Sequence, residues 1–173
     1  MNYAQIRHYD VANGPGVRAS IFVSGCTHNC KNCFNKEAQD FNYGNLYTKE
    51  IEDKFMEYVL DDNTKGISIL GGEPLMQTMD DSLLNLLKRI KKETNKEIWL
   101  WSGYTYEEAI LCEKRKEILN YVDVLVDGRF EEENKSLLIK FRGSTNQRII
   151  DLNKTRKEGK IIERREYYIW NDW

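Results

Sequence analysis

The chain has 173 residues, the length of one domain, and a core of this size can bury roughly two-thirds of the unfolded surface without disulfide staples. Its 26 basic and 28 acidic residues leave a formal charge of −2, which provides no general field for a polyanion, so nucleic acid is not an expected partner. No apolar run approaches the ~20 residues of a membrane span, Met1-Asn2-Tyr3-Ala4-Gln5 carries no export pattern, and four cysteines are too few for a disulfide-stapled fold; the expectation is a cytoplasmic protein with reduced thiols and no membrane contact.

The first ten residues are mixed, and Asn13-Gly14-Pro15-Gly16 is a turn signal, because glycine supplies unusual backbone angles and proline fixes its own. Such a loop also allows close approach of a partner's backbone. Residues 17–23 read as a strand running into a loop that holds Cys26, Cys30 and Cys33. The spacing, three residues and then two, differs from the paired CxxC arrangement of tetrahedral zinc sites. Three thiolates on one short loop suit a larger group, a cubane cluster held at three corners with its fourth iron open to an exogenous ligand. Zinc held by the three cysteines with His28 or Cys112 is the alternative, and His28 by itself reads as a polar loop residue.

Thr48 can cap a helix whose apolar positions are Ile51, Phe55, Tyr58 and Val59. Residues 66–70 form a short buried strand that enters Gly71-Gly72-Glu73-Pro74. Asp80 or Asp81 opens a second helix with Leu83, Leu84, Leu86, Leu87 and Ile90 inward. Residues 98–101 are a third strand ending in Ser102-Gly103-Tyr104. Thr105-x-x-Glu108 is a capping box for a third helix, in which Cys112 is expected as a buried structural thiol. Residues 122–126 are a fourth strand, finishing at Asp127-Gly128-Arg129-Phe130. The stretch 141–148 is polar and loop-like. Beyond Asp151 a Lys- and Arg-rich tail leads to Tyr167, Tyr168, Ile169, Trp170 and Trp173, expected as a charged hairpin with an aromatic strand on the core, or else as a docking element.

Strand and helix alternate, which predicts an α/β fold with a parallel sheet and crossovers, and in such sheets ligands gather at the carboxyl ends of strands. The cysteine loop, Gly-Gly-Glu-Pro, Trp-Ser-Gly-Tyr and Val-Asp-Gly each follow a predicted strand, which points to one shared site. A full eight-unit barrel needs ~200 residues or more, so only part of one fits.

A CxxxCxxC motif after a strand resembles the radical S-adenosylmethionine (SAM) superfamily. The series Asn13-Gly14-Pro15-Gly16-Val17-Arg18, Phe22-Val23-Ser24-Gly25-Cys26, Cys33-Phe34-Asn35, Gly71-Gly72-Glu73-Pro74, Trp101-Ser102-Gly103-Tyr104, Val126-Asp127-Gly128 and Arg142-Gly143-Ser144-Thr145-Asn146-Gln147 is similar to the glycyl-radical activating enzymes of anaerobic (class III) ribonucleotide reductase. The resemblance runs from about residue 2 to residue 151. It implies a partial (incomplete) β/α barrel of the radical SAM type over residues 1–151, with 152–173 as a charged and aromatic extension packed on the same domain. Cys26, Cys30 and Cys33 would hold one 4Fe-4S cluster, Gly72 and Glu73 would meet the amino group of SAM, and the segment Asn32, Cys33 and Phe34 would contact adenine. An electron from a flavodoxin-like or other low-potential donor would cleave SAM to methionine and a 5′-deoxyadenosyl radical, which takes hydrogen from a glycine of the reductase. No catalytic side chain beyond the cluster and SAM is implied. The Gly-x-Gly-x-Arg stretch belongs to the resemblance, although some relatives carry Asp where this chain has Asn13; no role follows for residues 142–147. The rival readings are another radical SAM enzyme, of the pyruvate formate-lyase activase kind, and a non-catalytic zinc-binding module.

Overall fold

In a computed structural model that describes residues 1–168, the chain begins with a hairpin, β1 (Asn2–Asp10) and β2 (Arg18–Val23), and β3 (Asn45–Leu46) pairs with the start of β1. Three crossovers follow. α1 (Lys49–Leu60) leads to β4 (Gly66–Gly71), α2 (Ser82–Glu93) to β5 (Glu97–Ser102), and α3 (Tyr106–Ala109) with α4 (Glu113–Leu119) to β6 (Val124–Asp127). β7 (Arg148–Asp151) returns antiparallel and enters α5 (Leu152–Glu158). The sheet order is β3-β1-β2-β4-β5-β6-β7. Its centre, β2, β4, β5 and β6, is parallel, and antiparallel strands flank it.

The expected strands and crossovers therefore form the middle of a mixed sheet, and β1 and β7 are additions to it. β1 buries only Tyr3 and Asp10 fully among nine residues, and its alternation of half-buried and exposed positions is too weakly apolar to mark a strand. β7, Arg-Ile-Ile-Asp, is too short to stand out from its polar surroundings.

Side chains alternate across the sheet. Ile98 and Leu100 face the core built with the helices, whereas Trp99 and Trp101 face the opposite side, with Val124, Val126 and Ile149. There the Trp99 ring meets Phe141 at 5.6 Å and Tyr167 at 5.4 Å between centroids. The charged tail opens with a helix, which was not expected, and residues 162–164 then return antiparallel along β7, with Arg164 N donating to Ile149 O at 2.7 Å. Asp151 caps α5 through the Lys154 amide at 2.9 Å, Leu152 and Thr155 turn inward at helical spacing, and Gly159 ends it in the left-handed region. Tyr167 and Tyr168 pack on the sheet; Ile169, Trp170 and Trp173 lie outside the described residues.

The capping box of Thr105 and Glu108 opens only a single turn, and a second helix begins at Glu113. Cys112 stands at that junction as the residue before α4, half-buried, and not inside a helix as a buried thiol. Among the described residues no helix is long and apolar enough to cross a membrane.

At the amino-terminal end of the parallel strands, Arg18 is buried at 1% exposure. Its guanidinium donates to Ser68 Oγ at 2.7 Å and to the carbonyls of Ile67 at 2.7 Å, Glu97 at 3.2 Å and Pro15 at 3.2 Å. Gly14, at φ +112°, lies over that side chain, where a Cβ would come within 2.8 Å of Arg18 Cδ. Burial lowers the guanidinium to about 10, which leaves it charged at neutral pH.

Candidate functional site

Phe22, Leu70 and Trp101 alternate with residues of the helix-side core, so they face the other side of the sheet, where they floor a cavity of about 790 Å³. The carboxyl ends of the four parallel strands all reach it. Cys26, Cys30, Cys33, Phe34, Gly72 and Glu73 line this one cavity, and Ser102, Gly103, Gly128 and Phe130 complete its rim.

The cysteine loop is wound by its own backbone. Gly25 and Cys26 donate to the carbonyls of Ala38 and Gln39 at 2.8 and 3.0 Å, tying the outgoing chain to the returning one. Asn29 and Asn32, each directly ahead of a cysteine, take left-handed angles (φ 51° and 52°), which asparagine tolerates better than most residues. Cys33 N then donates to Cys30 O at 3.3 Å. Burial pushes the Cys26 thiol up to about 11 and raises Cys30 as well. A cationic centre that displaces the protons reverses that preference.

This donor set fits an iron-sulfur group. Three thiols open on a space much larger than one ion. The two alternative fourth zinc ligands are engaged or distant: both nitrogens of His28 have partners, and Cys112 does not line the cavity.

Glu73 is the best-anchored group in the site, 1% exposed. Its carboxylate accepts from Leu75 N at 2.9 Å, Ser102 Oγ at 2.8 Å, Gly103 N at 2.6 Å and His28 Nε2 at 2.9 Å. A carboxylate offers about four lone-pair sites, so these donors use all of them. Gln77, also buried, donates to the carbonyls of Ser24 and Glu73 at 3.0 and 3.2 Å and binds the same turn to the end of β2.

Gly72 packs backbone on backbone. A Cβ there would lie 2.6 Å from Ala38 O and 2.7 Å from Gly25 O, atoms of the cysteine loop that no rotamer change can move. Gly72→Ala is therefore expected to cost about 2 kcal/mol and to push the loop from β4. Iron uptake per folded protein, measured after reconstitution, should fall by half or more; full uptake at unchanged stability would contradict this.

Phe34 stands at the cavity edge, 64% exposed, its ring 5.0 Å from Phe130 and capped by Lys135 Nζ at 4.9 Å. Asn32 turns away: it is exposed, and its amide donates to Glu132 outside the cavity. Residues 142–147 have a definite structural task. Gln147 Oε1 accepts from Gly143 N at 2.7 Å and its amide donates to Gly128 O at 2.8 Å, while Asn146 donates to Arg129 O at 2.9 Å. The segment is thus clamped to the end of β6, and Arg142 donates onward to Tyr168 O at 2.8 Å.

His28 is not a plain polar loop residue, because its side chain is only 5% exposed and bonded to Glu73. A polar residue in a polar loop gives no sequence signal for a partner 45 positions away.

A family model described as "4Fe-4S single cluster domain" matches residues 12–150. The anaerobic ribonucleoside-triphosphate reductase-activating protein of Vibrio cholerae is 43% identical over 150 residues, covering 85% of this chain and 96% of that protein. Its counterpart in Escherichia coli K12 is 40% identical over 150 residues, covering 85% and 96%, and that of phage T4 is 35% identical over 150 residues, covering 86% and 93%. With this identity across nearly the whole length of those proteins, and a family match that spans the cysteine loop and every strand-end motif, the chain belongs to the family of anaerobic ribonucleoside-triphosphate reductase-activating proteins and carries its 4Fe-4S single cluster domain.

Proposed function

We propose that this protein activates anaerobic ribonucleoside-triphosphate reductase by generating a glycyl radical on it, with one 4Fe-4S cluster held by Cys26, Cys30 and Cys33 and with SAM beside the cluster. The observation that carries this reading is the convergence of three thiols and the Gly-Gly-Glu-Pro turn on one open cavity at the carboxyl ends of four parallel strands. When bound, the cluster supplies an electron that breaks a carbon–sulfur bond of SAM, and hydrogen is then abstracted from a glycine of the reductase.

The chain binds, orients and excludes water. The wound loop presents the thiols, and Gly72 lets that loop lie against β4. Glu73 fixes the strand ends around the cavity, and since its own carbonyl accepts from Met76 N and Gln77 Nε2, the carbonyl of Gly72 is the polar surface beside it for an ammonium group. Phe34, with Phe130 beneath it, offers the aromatic face for adenine, and Asn32 braces the outside of the loop. None of these residues needs to move a proton.

A partial radical SAM barrel over residues 1–151, extended by 152–173, accounts for helices on one face of the sheet and a cavity on the other. Its open side faces the segment carrying Leu137 and Leu138, 89% and 74% exposed, where a large protein substrate has access. A flavodoxin-like or other low-potential donor supplies the electron, and such chemistry belongs in the reducing cytoplasm.

The test is anaerobic reconstitution with iron and sulfide, reduction, and EPR with and without SAM, followed by incubation with the reductase. A cluster signal that changes with SAM, 5′-deoxyadenosine formation and an organic radical on the reductase are expected. A protein that takes up zinc alone and leaves SAM intact would overturn the reading.

A further inference from the structure

Beside the cysteines runs a polar chain that the reaction itself does not use, from the exposed Arg129 through His28 to the buried Glu73 and Ser102. Arg129 Nε lies 3.3 Å from His28 Nδ1, and His28 Nε2 lies 2.9 Å from Glu73 Oε2. A guanidinium only donates, so Nδ1 is the acceptor and the ring proton sits on Nε2, which donates to the carboxylate. One neutral tautomer satisfies both contacts.

Packing holds the same ring. Tyr104 meets it edge-on at 4.5 Å between centroids. Gly103 comes so close that a Cβ there would stand 2.4 Å from His28 Cδ2. His28 occupies the middle of the Cys26–Cys30 turn, and its imidazole is gripped from the end of β4 through Glu73, of β5 through Gly103 and Tyr104, and of β6 through Arg129. Three strand ends fix the position of one loop residue, and the two cysteines flanking it are fixed with it.

We propose that His28 is a positioning residue for the iron-sulfur site, its Nε2–H latching the Cys26–Cys30 turn to the Glu73 carboxylate. The proposal rests on the reading that Cys26, Cys30 and Cys33 hold the cluster. Residues one step removed from metal ligands commonly change affinity or activity by ~10- to 100-fold when removed, since they orient the ligands and set the polarity around them. Hydrogen bonding and solvent exposure near a cluster also set its potential.

The test uses the full chain, reconstituted anaerobically, as wild type, His28→Ala, His28→Gln, Glu73→Gln and the double variant His28→Ala/Glu73→Gln. Iron and sulfide content, the cluster's midpoint potential, and KM and kcat for SAM cleavage are measured on each. His28→Ala is expected to shift the potential and to lose ~10-fold or more in kcat/KM for SAM. His28→Gln restores an amide donor at about the same reach and recovers most of that loss. Adding Glu73→Gln to His28→Ala costs less than Glu73→Gln costs in the wild type, because the bond to His28 is already gone while those from Leu75, Ser102 and Gly103 are perturbed in both backgrounds. The proposal is overturned if His28→Ala matches wild type, if Gln does no better than Ala, or if the two losses multiply. Should His28→Ala fail to fold, Gly103→Ala, which pushes the imidazole aside without removing it, must show the same change in potential; an unchanged potential then overturns the latch. A wild-type protein that takes up no four-iron cluster defeats the proposed function instead, so the two failures are distinct.

Discussion

Replacing Cys26, Cys30 or Cys33 singly by Ala is expected to lower reductase activation by ~100-fold or more, whereas Cys112→Ala leaves it unchanged. The asymmetry follows from position. The first three thiols face a single cavity from a loop whose winding depends on the left-handed Asn29 and Asn32, so losing any one leaves two ligands that the loop is not shaped to supplement. Cys112 caps a different helix, away from the cavity. Its thiol makes no side-chain capping bond, so Ala removes only a half-buried sulfur. Iron and sulfide content, reduced-cluster EPR and radical yield on the reductase measure the outcome. If Cys112→Ala abolished cluster uptake, or if two of the three loop variants retained it, the assignment of ligands would be wrong.

The same contrast explains which parts of the molecule were legible in sequence. The helix from Lys49, the leucine-rich α2 and the strands at 66–71 and 97–102 bury regular apolar faces, and periodicity records burial directly. The strand-end motifs were legible because chemistry-bearing residues recur after each predicted strand, where parallel sheets place ligands. β1 was hidden by its polarity, and α5 because its two inward residues lie in a charged stretch. His28 was hidden for a different reason. Its role comes from Glu73 and Arg129, which lie far along the chain and are brought near only by the sheet order. Pairwise contacts of this kind leave no periodic trace in one sequence. Asn32 and Phe34, on either side of Cys33 and both expected at adenine, point in different directions because Asn32 takes the left-handed angle ahead of Cys33.

Arg18→Met is expected to destabilise the folded chain by about 3 kcal/mol, a large share of the ~5 to 15 kcal/mol that holds a domain of this size together. The Gly-Pro-Gly-Val-Arg stretch permits two accounts, a loop open to a partner's backbone or a clamp inside the fold, and the geometry favours the clamp. Arg18 lies beneath Gly14 and beside Gly66, where added Cβ atoms would stand 2.8 Å from its Cδ and 2.4 Å from its Nη1. The glycines make room for a side chain of this protein. Methionine fills a similar volume but provides no donor, so the carbonyls of Pro15, Ile67 and Glu97 lose a partner each, at about 1 to 3 kcal/mol for each acceptor left dry. Relief from burying a guanidinium offsets part of that sum. Arg18→Lys should fall between, since one ammonium cannot span acceptors on two strands and a loop as a planar fork does. Urea midpoints of the anaerobically reconstituted full chain, at an unchanged slope, give the comparison. A methionine variant within about 1 kcal/mol of wild type that still fails to activate the reductase would refute the clamp and assign the stretch to the partner.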